Sequence, residues 1–273
     1  MKERLEDNPV NILYITTKCN FKCSYCYENQ KNITEYTFAT NEEISSFVEH
    51  IVNSSHPSVN NYTVCLMGGE PFCAIDQMRF FMEYIKKYTK LGKHFSVNVI
   101  TNGSLIHNYM DDIRMWMNQD KVFYSLDISY DGSWQYRRTN SDIVERNMDL
   151  FTKERIPFGL SYTITKDNML SSQYLPDLIK MIHRWLYPIY NQGHQRIRVN
   201  TAWSDIKNLE EYRSNLTEQG LYIFSKYRVA ICQYSCEYCK ACKFTNTGKQ
   251  YMIPNKGIEI ETMYSEKKFQ HFK

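Results

Sequence analysis

Six apolar runs, at 10–15, 62–67, 95–100, 122–128, 158–164 and 196–200, have the length and side-chain character of buried strands. Segments with helical spacing sit between them, carried by Ile44, Phe47, Val48 and Ile51; by Ile75, Met78, Met82 and Ile85; by Ile106, Met110, Ile113 and Met117; and by Leu175, Leu178, Ile182 and Trp185. Strands joined through single helices run parallel, because a parallel neighbour can be reached only by a crossover. Right-handed crossovers repeated in one direction curl a sheet onto itself. The pattern therefore predicts an α/β fold, a partial (β/α)6 TIM-like barrel, with an open doubly wound sheet as the alternative.

After about residue 227 the alternation stops. Four cysteines, two turn signals (NTG and PNKG) and short strand-like runs follow, which reads as a small cysteine-rich module over 227–273 appended to a barrel over 1–226. At 273 residues with a net charge of +3, the chain is long enough for a large core and carries neither a basic stripe nor an acidic tail. Its first ten residues have no apolar h-region, and no run of eighteen apolar residues occurs, so a cytoplasmic protein without a membrane partner is expected. In a reducing compartment nine cysteines point to metal or cluster ligands rather than to a disulfide framework.

Three of these cysteines, Cys19, Cys23 and Cys26, follow the first strand directly in TTKCNFKCSYCYENQ, on the face where α/β barrels carry their chemistry. A structural zinc site normally uses four protein ligands, whereas a [4Fe-4S] cube held by three thiolates keeps one iron open. Buried or zinc-binding cysteines are the bland alternative. After the second strand, CLMGGEPF places Gly68 and Gly69, whose missing side chains let backbone approach a ligand, next to Glu70, a carboxylate suited to an ammonium group. After the third, ITNGSLI puts Asn102 in a turn before a helix, where a capping role is equally natural. After the fourth comes ISYDGSWQYRRTN, with Ser129, an Asp-Gly turn, Arg137 and Arg138. The tail set Cys232, Cys236, Cys239 and Cys242 suits either a fully ligated cluster or tetrahedral zinc. Cys65 reads as a small core residue and Cys73 as packing near the site, and the seven histidines lack the spacing of a metal site.

The CxxxCxxC loop with Tyr25 before its third cysteine, the Gly-Gly-Glu turn and the SxDG-like stretch together resemble the radical S-adenosylmethionine (radical SAM) enzymes. The resemblance covers the first 200 residues or so. It implies that Cys19, Cys23 and Cys26 hold a [4Fe-4S] cluster whose open iron binds SAM. Glu70 and its glycines would take the SAM amino group, with Tyr25 and Asn102 nearby. Ser129 would contact the ribose or carboxylate, and Arg137 or Arg138 the carboxylate. A flavodoxin or ferredoxin would supply the electron that cleaves SAM to a 5'-deoxyadenosyl radical. Thr163 and Thr165, at the end of the fifth strand and just beyond it, would turn polar groups into the site. The spacing from Asp131 to the arginines is shorter than the family usually has, and the usual His-Asp pair is missing. The tail resembles SPASM or twitch modules, which carry auxiliary clusters, though with only one compact cysteine set. A peptide or protein substrate is implied; a small molecule or nucleotide, and a noncatalytic iron-sulfur or zinc protein, are the alternatives.

Overall fold

The computed structural model describes residues 10–26, 35–138, 141–169, 173–186, 188–189, 196–201, 230–232, 249–253 and 257–261. In chain order its elements are β1 (Val10–Thr16), α1 (Asn41–Asn53), β2 (Asn61–Gly68), α2 (Ile75–Lys90), β3 (His94–Thr101), α3 (Met110–Met117), β4 (Val122–Ser129), α4 (Ser141–Lys153), β5 (Phe158–Ile164), α5 (Lys166–Met169), α6 (Tyr174–Met181), β6 (Arg196–Thr201), β7 (Ala230–Cys232), β8 (Lys249–Ile253) and β9 (Gly257–Glu261). Each of the six expected strands forms within one residue of its expected ends.

The strands make one sheet in the order β7-β6-β5-β4-β3-β2-β1-β8-β9, parallel throughout except for the β8–β9 hairpin. From β1 to β6 the spatial order follows the chain with no reversal. A doubly wound sheet needs a reversal to place helices on both faces. Sequential order keeps every crossover on one face, which is the arrangement of a partial barrel and disposes of the doubly wound alternative.

Burial separates the two faces. Leu13, Ile15, Val64, Leu66, Val97, Val99, Leu126, Ile128, Leu160 and Tyr162 are almost fully buried and share one core with Ile44, Phe47 and Ile51 of α1 and with Phe81 and Ile85 of α2. The alternate strand positions form the concave face, where Ile12 and Cys65 pack with Tyr14, Met67 and Ile100 as a separate small cluster. Further along that face the lining turns polar: Asn98 donates to Asp127 at 3.1 Å and accepts from Ser125 at 2.9 Å. A charge inside VFYSLDIS was the available sign that this strand does not face only core.

Local chemistry sets the helix ends. Thr40 caps α1 in a reciprocal capping box with Glu43. α4 has no counterpart among the expected helices: its buried stripe, Val144, Met148 and Phe151, is interrupted by Asn147, a buried residue committed to hydrogen bonds. The spacing at 175–185 continues not as one helix but as α6 followed by a π-helical turn over Ile182–Leu186.

The boundary expected near residue 226 lies outside the described residues. The described strands of the C-terminal segment extend the same sheet, β7 beside β6 at one edge and β8 beside β1 at the other, with β9 pairing antiparallel to β8 as a hairpin. Among the described residues no helix is long and apolar enough to cross a membrane.

Candidate active site

Parallel strands bring all their carboxyl ends to one side, so the loops after β1, β2, β3 and β4 meet there. The first contact is backbone on backbone. Gly69 N donates to Thr16 O at 2.8 Å and Glu70 N to Lys18 O at 2.7 Å. A Cβ on Gly68 would stand 2.2 Å from Thr16 O, and one on Gly69 would stand 2.3 Å from Lys18 O. Gly68 also has φ +141°, where side chains are strained. The chain itself makes one such close approach: the two glycines dock the β2 turn onto the cysteine loop.

Glu70 is fully buried in this junction. One carboxylate oxygen accepts from Phe72 N at 3.1 Å and from Thr101 Oγ1 at 2.7 Å, and the other from Asn102 N at 2.6 Å. Burial nevertheless pushes its carboxyl up to about 7, against the pull of those hydrogen bonds. Asn102 in turn donates to Asn20 Oδ1 at 2.8 Å and accepts from Ser104 N and Oγ, while Asn20 donates to Ser104 Oγ at 2.8 Å. Asn102 thus does more than cap a turn: it ties the β3 loop to the residue beside Cys19. Asn20, Thr101 and Ser104 escaped the sequence reading because their partners are distant in the chain, although TNGS, Ser104 included, marked the turn.

Cys19, Cys23 and Cys26 line this loop, with Cys23 buried and the other two half-buried. Phe21 N donates to Cys19 Sγ at 3.4 Å, Asn102 Nδ2 lies 3.9 Å from the same sulfur, and Cys26 N donates to Cys23 O at 3.1 Å. Burial pushes the Cys19 thiol up to about 12, and the neighbouring Glu70, Cys23 and Cys26 add to it. Burial raises Cys23 as well, with the charge of Arg138 opposing. Three thiolates on so short a loop would repel one another, and a cationic centre would offset that repulsion and favour their deprotonated form. Among the described residues no three His, Cys, Asp or Glu side chains converge on a point suited to one metal ion. A cube makes a different demand, one thiolate per iron, and Cys19, whose sulfur receives an N–H donor, fits it.

Asp131, following β4, organises the opposite wall. Fully buried, it accepts from the Tyr25 hydroxyl, from Arg138 Nε at 2.9 Å and from Thr163 N at 2.9 Å. Arg137 bonds to Thr165 Oγ1, and both guanidinium groups lie over the Tyr25 ring, 5.1 and 5.4 Å from its centroid. Thr163 and Thr165 are thereby engaged with the arginines. Ser129 ends β4 half-buried, in register with Ser161 of β5.

Of the tail cysteines, Cys232 is the last residue of β7, and Cys236, Cys239 and Cys242 lie outside the described residues. Cys65 is buried on the concave face and Cys73 is half-buried directly after the Glu70 turn.

The family model described as the Radical SAM superfamily matches residues 13–182. An uncharacterised protein of Methanocaldococcus jannaschii is 22% identical over 220 residues, covering 77% of this chain and 71% of its own length. The Fe-coproporphyrin III synthase of Methanosarcina barkeri is 25% identical, covering 64% of this chain and 42% of its own. A cysteine-type anaerobic sulfatase-maturating enzyme of Clostridium novyi is 29% identical, covering 48% of this chain; the chain spans 38% of that enzyme's length. Among solved structures, native anSMEcpe with bound AdoMet superposes with a TM-score of 0.61 at 17% identity, over 82% of this chain and 64% of that one. That likeness is one of fold.

Proposed function

The chain belongs to the radical SAM superfamily, a superfamily of enzymes, and from that premise we propose that Cys19, Cys23 and Cys26 hold a [4Fe-4S] cluster, that SAM binds beside it, and that the substrate is a peptide or protein residue. When bound, the cluster supplies the electron that cleaves SAM to a 5'-deoxyadenosyl radical, which takes hydrogen from the substrate. The chain's own residues do the rest. Gly68 and Gly69 lock the β2 turn to the cysteine loop, so that the ligand loop and Glu70 move as one body. Glu70, its carboxyl raised by burial to about 7 and so only about half ionised at pH 7, gains from an ammonium group brought against it, because an opposite charge offsets the burial that disfavours its ionised form. Asn102 orients the Cys19 end of the loop. Arg138, already neutralised by Asp131, and Ser129 offer donors to the SAM carboxylate or ribose.

The observation that carries this reading is the docking of the Gly-Gly-Glu turn onto the cysteine loop through two short backbone hydrogen bonds. The peptide assignment is supported by similarity to a sulfatase-maturating enzyme and by the fold shared with anSMEcpe bound to AdoMet and a peptide. A second reading, a small-molecule substrate, is favoured by similarity to a coproporphyrin synthase and to a probable GTP cyclase of Methanococcus maripaludis. Cys232, Cys236, Cys239 and Cys242 would hold an auxiliary cluster or zinc, and a cytoplasmic flavodoxin or ferredoxin would donate the electron.

The test is anaerobic reconstitution, with iron, sulfide and zinc counted and paramagnetic resonance recorded with and without SAM. About eight irons and a SAM-sensitive signal support two clusters, and about four with one zinc support a single cluster and a structural clamp. No SAM-sensitive iron refutes the cysteine assignment. Incubation with cysteine- or serine-containing peptides, read by mass, separates peptide chemistry from small-molecule chemistry.

A further inference from the structure

The segment Asp131–Arg138 clasps the cysteine loop at a single place. Between Cys23 and Cys26 lie only Ser24 and Tyr25. Both are held: Ser24 N donates to Arg137 O at 3.2 Å, and the Tyr25 hydroxyl donates to Asp131. Asp131 is in turn fixed by Thr163 N at 2.9 Å and by Gln135, whose Oε1 accepts from Asp131 N at 2.7 Å. Its charge is balanced by Arg138 at 2.9 Å and, more distantly, by Arg137 at 3.7 Å. The side chains of Asp131 and of both arginines are almost entirely removed from water. In so dry a setting one uncompensated charge acts strongly on whatever the loop holds.

We infer that Asp131 is a positioning residue for the cluster loop: through Tyr25 it fixes the span between the second and third cysteines, and through Arg138 it sets the charge beside them. The inference rests on the proposed cluster at Cys19, Cys23 and Cys26 but is independent of the substrate. Removing the carboxylate leaves Arg138 unopposed, which favours the cluster state holding one more electron; removing the guanidinium does the reverse.

The experiment is redox titration of reconstituted, substrate-free protein, followed by paramagnetic resonance. Asp131→Asn is expected to raise the midpoint potential of the SAM-sensitive cluster and Arg138→Gln to lower it, with the double variant returning towards wild type. Loss of packing alone does not produce opposite shifts that cancel. Tyr25→Phe keeps both charges and the ring, so it serves even where the charge variants fail to load iron. It is expected to leave the potential near wild type while weakening the change SAM makes in the spectrum. Shifts of the same sign, no shift in either charge variant, or a Tyr25→Phe spectrum that responds to SAM as wild type does would overturn the clamp alone. A wild-type protein that takes up no iron would overturn the cysteine assignment and the clamp together.

Discussion

Replacing Gly69 by alanine isolates the junction between the cysteine loop and the Glu70 turn. The backbone there is not left-handed, so the added methyl meets no conformational penalty of its own. It meets only carbonyl groups: Lys18 O at 2.3 Å and Thr17 O at 2.6 Å. Carbon and oxygen ordinarily approach no closer than about 3.3 Å, so the two loops must part by about 1 Å. That separation breaks the Gly69–Thr16 and Glu70–Lys18 hydrogen bonds, each contributing about 1 kcal/mol net. Overpacking against backbone adds about 1–3 kcal/mol, and the combined loss is about 3–5 kcal/mol. At about 2–4 °C per kcal/mol for a chain somewhat shorter than this one, thermal unfolding drops by about 10 °C. Gly92→Ala is the matched control: with φ +84° and no heavy atom within 4 Å of the added Cβ, it bears only the left-handed cost of about 1–2 kcal/mol. Differential scanning of the iron-free proteins reads stability, and iron retained after gel filtration reads the loop. If Gly69→Ala unfolds where Gly92→Ala does and keeps wild-type iron, the docking argument is wrong.

Other outcomes follow from the same geometry. Cys23→Ala is expected to abolish dithionite-dependent SAM cleavage, measured as 5'-deoxyadenosine released; persistent cleavage would remove Cys23 from the ligand set. Glu70 has a folded pKa raised by burial to about 7 from 4.5, so the folded state holds its proton more tightly than the unfolded chain. Its contribution is therefore fully present below about pH 4.5 and is lost as pH rises towards 7, a fall of about 3 kcal/mol. Iron-free wild type should lose stability across that window in urea titrations, and Glu70→Gln should flatten the slope; equal slopes would refute the assignment. Asn147→Leu leaves Gly103 O without the 2.7 Å donor it has now, which costs about 1–3 kcal/mol, seen as a lower urea midpoint.

Much of the fold was legible because strand and helix periodicity are local properties. The apolar runs marked all six barrel strands, and their separation by single helices implied parallel order. α4 was the exception, since Asn147 occupies a core-facing position to hold the β3 loop, a duty set by residues more than forty positions away. The same limit applies at the site. CxxxCxxC and Gly-Gly-Glu were visible as motifs, but the reason for the glycines was not. It is the backbone of residues 16–18, brought alongside only when β1 and β2 pair. Asp131 looked like part of a turn until β5 supplied Thr163 N and the cysteine loop supplied Tyr25.

The sequence alone thus determined the alternating strands and helices, the close spacing of Cys19, Cys23 and Cys26, and the carboxylate at residue 70. These depend on side-chain type and on neighbours within a few residues. Only the tertiary structure decided that C-terminal strands border both edges of the same sheet, that Glu70 is buried under three donors, and that Asp131 grips the loop between two cysteines. Such contacts join segments tens of residues apart, and no local periodicity records which of them will meet.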